Sequence, residues 1–253
     1  MKTHEAVVNA QFGAQANAYL ASAVHASGED LAAIGAIAAA RRPAAALDLG
    51  CGAGHVSFAL AAHAAQVTAC DLSAEMLTVV AAAAAERGLA NVATRQGVAE
   101  ALPFADASFD FVASRFSAHH WRDLRAGLRE AARVLRPGGI AVFADTVAPQ
   151  DALLDTALQA IELLRDPSHV RDYARAEWET ALAEAGLRVT RATARRLPLE
   201  FAAWVARMRT PAVQVAAIRA LQAAVSEEVR RHYEIAADGS FVLDTLMLEC
   251  APA

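Results

Sequence analysis

The sequence predicts an α/β protein, a mostly parallel sheet covered by helices, and three observations carry that prediction. From residue 44 onward, short apolar runs suited to strands alternate with longer helical segments, the pattern of a parallel sheet wrapped by helices. The first of these runs ends in three alternating glycines, Gly50, Gly52 and Gly54, and a helical segment follows at once. The chain has 253 residues, enough for one large α/β domain with a buried core, and it contains no internal repeat or low-complexity linker.

The elements follow in order. Residues 44–49 form the first strand and 55–64 the helix after the glycine turn. Residues 66–70 form the second strand, closing on Asp71, and Ser73 is placed to cap a helix over 74–87 that Gly88 ends. Residues 91–96 and 109–114 read as the third and fourth strands, followed by a helix over 122–135. Pro137-Gly138-Gly139 is a turn before a fifth strand over 140–146. Beyond it, 151–164 and 175–185 read as helices, with Gly186 ending the second. Residues 187–197 form a sixth strand, 198–229 a helical stretch broken at Pro211, and 241–250 a last strand. The residues before Pro43 read as one or two helices outside the sheet.

Composition narrows the function classes. Hydrophobic residues make up 56 % of the chain, much of it alanine, yet no run of about 20 apolar residues is free of charges or breakers, so no membrane span is expected. The net charge of −5 disfavours a nucleic-acid backbone as the main partner, because phosphate binding needs a clustered positive field. Cys51, Cys70 and Cys250 are widely spaced and form no metal pattern. With no apolar core in Met1-Lys2-Thr3-His4-Glu5, a cytoplasmic protein without disulfides or bound metal is expected.

The strongest chemical signal runs from Ala45 to Gly54, AALDLGCGAG. Glycines let a backbone turn sharply and come close to a ligand. A dinucleotide fingerprint spaces its glycines G-x-G-x-x-G, whereas here the third falls one residue early. Asp48 at the mouth of the loop would repel a pyrophosphate but attract an ammonium group. Asp71 ends the second strand, at the distance where an acid takes both hydroxyls of a ribose. Its other reading is a turn-former with Leu72 and Ser73.

These residues resemble the class I S-adenosylmethionine-dependent methyltransferases, more specifically the UbiE-like branch. Further matches are Ala99-Glu100-Ala101-Leu102-Pro103-Phe104, Ser108-Phe109-Asp110, and the run from Arg133 to Gly139. The similarity spans residues 44–146. It implies a Rossmann-like sheet of seven strands, the last antiparallel, with helices on both faces and an N-terminal helical lid. It implies one domain over 1–253, divided into a cap (1–42), a cofactor-binding half (43–146) and an acceptor side that completes the sheet (147–253). Cofactor contacts are expected at Tyr19, Asp48, Gly50, Cys51, Gly52, Gly54, Asp71, Leu72, Met76, Val98, Ala99, Glu100 and Ser114. S-adenosyl-L-methionine is the expected cofactor and S-adenosyl-L-homocysteine the product. One departure stands out: the family often carries Gly-Asp where this chain has Gly97-Val98, which removes an acceptor for the adenine amine. Two other functions remain as alternatives, a non-catalytic protein that holds the same cofactor and a nicotinamide-dependent oxidoreductase.

The acceptor is expected to be a small, partly apolar molecule met by the segment after the fourth strand, Ser114 to Trp121. Methyl transfer is an in-line displacement, so alignment and exclusion of water come first, and a base is needed only where the acceptor must lose a proton. His119 and His120 are the candidates for that base. Trp121 reads as a core or pocket-wall residue, and Arg115 as the partner of an anionic substrate group or, more simply, of a neighbouring carboxylate. The stripe Arg122, Arg125, Arg129, Arg133, Arg136 reads as a solvated helix face with acids such as Glu130 beside it. Phe12, Ala16 and Tyr19 at helical spacing fit a lid or an amphipathic helix on the sheet edge. Tyr173, Trp178, Phe201 and Trp204 fit an acceptor pocket or the core equally well.

Overall fold

A computed structural model describes residues 3–13 and 27–253. Its sheet has seven strands in the order β3-β2-β1-β4-β5-β7-β6: β1 Ala45–Leu49, β2 Gln66–Asp71, β3 Val92–Gln96, β4 Phe109–Arg115, β5 Leu135–Thr146, β6 Leu187–Leu199 and β7 Phe241–Pro252. The first five strands pair in parallel, and β7 lies antiparallel between β5 and β6. Strand order reverses between β1 and β4, so the connections diverge there and leave a crevice at the carboxyl ends of the strands.

The described helices are α1 His4–Gly13, α2 Glu29–Arg41, α3 His55–Ala61, α4 Ala74–Glu86, α5 Leu124–Val134, α6 Ala152–Arg165, α7 Arg175–Glu184, α8 Phe201–Arg207, α9 Ala212–Ala224 and α10 Glu227–His232. Ser73 caps α4 as expected, its hydroxyl accepting from Met76 N, and Gly88 takes the left-handed turn beyond the end at φ 70°. The stretch expected as one broken helix is three helices, and Pro198 belongs to β6 rather than to any of them. Pro198 can sit there because β6 is the edge strand of the sheet. Pro137-Gly138-Gly139 is a bulge inside β5 instead of a free turn: Phe109 faces Leu135 and Phe111 faces Ile140.

Both faces of the central strands β1 and β4 are buried, which explains why they read as apolar runs, whereas the edge strands β3 and β6 are largely exposed. Ala46, Phe111 and Val142 pack under Ile34 of α2 and Leu60 of α3. Leu47, Val112 and Phe143 pack on the other face with Leu128 of α5 and Trp178. A third core joins α6, α8, α9 and α10 to β7 around Leu158, Trp204, Ile218, Tyr233 and Phe241. No described helix is long and apolar enough to cross a membrane.

The quoted motifs outside the glycine loop brace the crevice. Asp110 accepts hydrogen bonds from Ala44 N and Ala45 N at 2.9 and 3.0 Å and so fixes the start of β1. Arg133 donates to the carbonyls of Leu102 and Phe104, to Asp106 and to Glu130, while Glu130 accepts from Leu102 N at 2.7 Å. That network holds the connection carrying Val98, Ala99 and Glu100. Of the remaining arginine stripe, Arg125 pairs with Glu184 and Arg136 donates to Ala107 O, as befits a helix face at the surface.

Candidate active site

Two adjoining cavities open at the carboxyl ends of the strands. The larger, about 590 Å³, is lined by the loops after β1, β2, β3 and β4 and by α1. The smaller, about 70 Å³, lies between the segment after β4, the end of β5, and α6, α8, β6 and β7. Phe12, Phe116 and His120 line both and form the boundary between them.

The glycine loop shapes the larger cavity. Gly50 has φ 69°, and a Cβ there would run into the Ser117 hydroxyl, so only glycine lets these two loops touch. Gly52 also has a positive φ, 49°, but a Cβ built on it meets nothing within 4 Å, so its bare face borders open cavity. Gly54 does different work. It caps α3 with φ 87° and packs against Phe58 and Val80, outside the cavity lining.

Asp48 is almost fully buried, and one oxygen accepts from Ser57 N at 2.8 Å and Ser57 Oγ at 2.6 Å. Its other oxygen has no hydrogen-bond partner among the described residues, while the residue lines the cavity. Burial pushes its pKa up to about 7 despite the bonds from Ser57, a tension that a cation in the cavity would relieve. Asp71 serves the turn and the cavity together. Its Oδ2 accepts from Gly52 N at 2.8 Å, its Oδ1 accepts from Ser73 N at 2.9 Å, and burial raises its pKa. Cys51, Leu72, Met76, Val98, Ala99 and Glu100 complete that wall. The Glu100 carboxylate is engaged at the rim, where Oε1 accepts from Arg122 N at 2.8 Å.

Two expected contacts need correction, and one lies beyond view. Ser114 does not reach either cavity: it is buried, with its Oγ unpartnered, because it shares the β4 face of Val112. Arg115, Phe116 and Ser117, where the strand ends and the chain turns, line the larger cavity in its place. Arg115 is held by Asp30, as a partner for a neighbouring carboxylate should be. Trp121 walls the cavity, packs on the bare face of Gly127, and donates its indole N–H to Ser117 Oγ at 3.1 Å. Tyr19 and Ala16 lie outside the described residues. Phe12 is described: α1 lays His4, Glu5, Val8 and Phe12 along the larger cavity, and Phe12 packs with Ala53, Met76 and Met208.

The adjacent histidines diverge. His119 does not line the larger cavity; it faces the smaller one. Its Nδ1–H donates to Asp145 Oδ1 at 2.6 Å, and Nε2 has no hydrogen-bond partner among the described residues. Burial opposes its charge, but the carboxylates of Asp145, Asp172 and Glu162, Asp145 foremost, together outweigh burial and lift the pKa to about 9. His120 donates from Nδ1 to the Ser168 carbonyl at 3.2 Å, stacks edge-on with Phe12, and is driven down to about 3 by burial and by the charge on His119. At neutral pH one ring is therefore cationic and its neighbour neutral.

The sequence reading missed the polar groups around these rings. Asp145 sits at the carboxyl end of β5, the same kind of position that drew attention to Asp71, so the signal was present. Glu162, Asp166 and Asp172 come from α6 and the loop beyond it, and no spacing rule ties them to His119. Trp204 lines the smaller cavity and is also a core residue, whereas Trp178 is core alone. Among the described residues, no group of three or more histidine, cysteine or acidic side chains is arranged to hold a metal ion.

Comparison with known proteins agrees with this geometry. Residues 47–143 match the family described as a methyltransferase domain. The chain is 50 % identical over 200 residues to the uncharacterized protein YafE of Escherichia coli (strain K12), covering 79 % of this chain and 97 % of that one. It is 38 % identical over 201 residues to the uncharacterized methyltransferase YcgJ of Bacillus subtilis (strain 168), covering 79 % of each. The crystal structure of YcgJ superposes with a TM-score of 0.84 at 34 % identity, over 87 % of this chain and 97 % of that one.

Proposed function

We propose, starting from the fact that the chain belongs to the class I S-adenosylmethionine-dependent methyltransferases, that it methylates a small, partly apolar acceptor held in the smaller cavity while the larger one seats the cofactor. The observation that carries this reading is the juxtaposition of the two cavities across Phe12, Phe116 and His120. The larger has the size of a small-molecule site, about 300–1,000 Å³. Asp48 has a free carboxylate oxygen there for the ammonium of a methionine moiety, Gly52 leaves room for that moiety, and Asp71 stands at the ribose position. Leu72, Met76, Val98 and Ala99 offer the apolar surface an adenine needs. Residues 1–253 form one functional unit in this reading, with 1–42 as cap, 43–146 as cofactor half and 147–253 as acceptor side.

The bound sulfonium supplies an electrophilic methyl group. The protein's part is to align the acceptor, keep water out and manage a proton. Phe12 and Phe116 close the boundary against water. Asp145 fixes the His119 tautomer through Nδ1 and leaves Nε2 toward the acceptor, the arrangement by which an acid orients an acid–base histidine. His119 holds its proton at neutral pH, so it begins as a donor to an acceptor oxygen and becomes a base as pH approaches 9.

Titration calorimetry with S-adenosylmethionine, S-adenosylhomocysteine and NAD tests the cofactor, and methylated product from an acceptor panel tests catalysis. Binding of both sulfur compounds without NAD, together with product, is the expected result. NAD binding in their place would overturn the cofactor assignment, and tight cofactor binding without product across acceptors would mark a non-catalytic holder. His119→Asn should lower turnover by about 100–10,000-fold and remove a limb of the pH–rate profile while sparing cofactor affinity. A loss below about tenfold would assign His119 to alignment alone.

A further inference from the structure

The smaller cavity carries more acceptor atoms than the protein itself satisfies. Asp172 is 1 % exposed and lines it; Oδ1 accepts from the Thr146 hydroxyl, while Oδ2 is buried without any hydrogen-bond partner. The His169 ring, which burial keeps neutral, has its Nε2 3.9 Å from that oxygen, and this N–H already goes to Gln159 Oε1 at 2.9 Å. Glu162, on the same cavity, meets Arg165 through Oε2 at 3.5 Å, and its Oε1 has no hydrogen-bond partner among the described residues. A buried oxygen left unpaired costs about 1–3 kcal/mol, so a structure that keeps Asp172 Oδ2 in that state beside a cavity, with the unengaged Glu162 Oε1 on the same wall, is prepared for something that donates to them.

The basic groups nearby do not make the cavity an anion site. Arg165 gives its Nε–H to the Trp204 carbonyl at 3.1 Å, lies over the Trp204 ring at 4.8 Å and faces Glu162. His119 spends its Nδ1–H on Asp145 and keeps Nε2–H for an acceptor oxygen, a single donor set among the carboxylates of Asp145, Glu162 and Asp172. Arg207 also lines the cavity, which it shares with Asp166, Asp172 and Glu162 and with the apolar Leu197, Leu199 and Leu243. Burial raises the pKa of Asp172 to about 6 and raises that of Glu162 as well, as expected for carboxyls that lack enough donors.

We infer that Asp172 Oδ2 and Glu162 Oε1 recognise a hydrogen-bond-donating head, a hydroxyl or an amine, on an acceptor whose compact apolar body rests on Leu197, Leu199 and Leu243. This rests on the two-cavity reading above. It selects against acceptors that present a carboxylate or only an ether or carbonyl oxygen, because each would set lone pairs against unpaired carboxyl oxygens.

The test uses the full chain saturated with S-adenosylhomocysteine and four probes that share one cyclopentyl body: cyclopentanol, cyclopentylamine, cyclopentyl methyl ether and cyclopentanecarboxylate. Dissociation constants come from chemical-shift titrations. Cyclopentanol or cyclopentylamine should bind at least about fivefold tighter than the ether, the worth of one net hydrogen bond, and the carboxylate should bind more weakly still. Whichever of the two wins tells a hydroxyl head from an amine head. Asp172→Asn, which keeps the oxygen facing Thr146, should erase the preference with S-adenosylhomocysteine affinity unchanged. Glu162→Gln is the second variant and should reduce the preference in the same way. Equal affinity for alcohol, amine and ether overturns the inference, as does a carboxylate that binds tightest, a preference that survives both variants, or no binding by any probe. Failure of S-adenosylhomocysteine to bind would instead strike the two-cavity reading itself, so the two failures are distinguishable.

Discussion

The walls of the two cavities are built by different means. Around the larger cavity the shape comes from backbone: positive-φ glycines, strand ends, and N–H groups tied to Asp71 and Asp48 within a short span of sequence. Around the smaller cavity the shape comes from side chains drawn from β4, β5, α6, α8, β6 and β7. In the proposed reading, the backbone-built cavity holds the cofactor, and the side-chain-built one, whose polarity can change without disturbing the sheet, tells one acceptor from another.

The sharpest way to break this contrast is at Gly52. A valine there would point into the open cavity from a left-handed backbone, so Gly52→Val should weaken S-adenosylhomocysteine binding by at least about 100-fold, roughly 2.8 kcal/mol, with the fold retained. Unchanged affinity in calorimetry would show that the methionine moiety lies elsewhere.

A smaller loss is expected at Asp71. Removing its carboxylate should cost cofactor binding about 1.5–3 kcal/mol, the range for hydrogen bonds to a charged group. Because Asp71 also holds Gly52 N and Ser73 N, part of that loss comes through the loop. A 2′,3′-dideoxy analogue separates the parts: the loss should shrink with it, and an equal loss for both ligands would assign Asp71 to the loop alone.

Val98 tests the opposite direction. Val98→Asp should tighten binding of the adenine cofactor by about 1 kcal/mol and leave the inosine analogue unaffected, since only the adenine amine can use the new acceptor. An equal response from both ligands would mean Val98 does not mark a missing contact.

The subtlest difference is in stability against pH. Beside the smaller cavity the folded state raises His119 from 6.5 to about 9, so His119 contributes stability fully below pH 6.5 and loses it as pH climbs through 9. His120 and His169 are lowered to about 3 and 4, so their contribution runs the other way and is lost as pH falls below 6.5. Beside the larger cavity, Asp48 is raised to about 7, and its decline with rising pH is complete near that value. Between pH 7 and 9 the fall in Tm should therefore belong to His119, and His119→Asn should flatten it. The same slope in both proteins would show that the Asp145 pair does not hold the proton.

The amino-acid order by itself determined the parallel sheet, the strand ends and most of the larger cavity's wall. Apolar periodicity, glycine spacing and an acid at the end of β2 are local signals, and the carboxyl ends of parallel strands converge by topology alone. It also carried the family resemblance through Asp110 and Arg133, although their bracing of the crevice, with Glu130 beside Arg133, became visible only in three dimensions. Tertiary structure decided which neighbour of a strand end turns inward, placing Ser114 in the core and Ser117 on the cavity, because one residue of a strand reverses the side chain's direction. It likewise decided that His119 meets Asp145 while His120 meets Ser168, and that Glu162 and Asp172 face one cavity. Those encounters join residues far apart in the chain, and no periodicity or spacing encodes them. They follow from the packing of α6 and its following loop against the strand ends, which the sum of buried contacts across the whole domain sets.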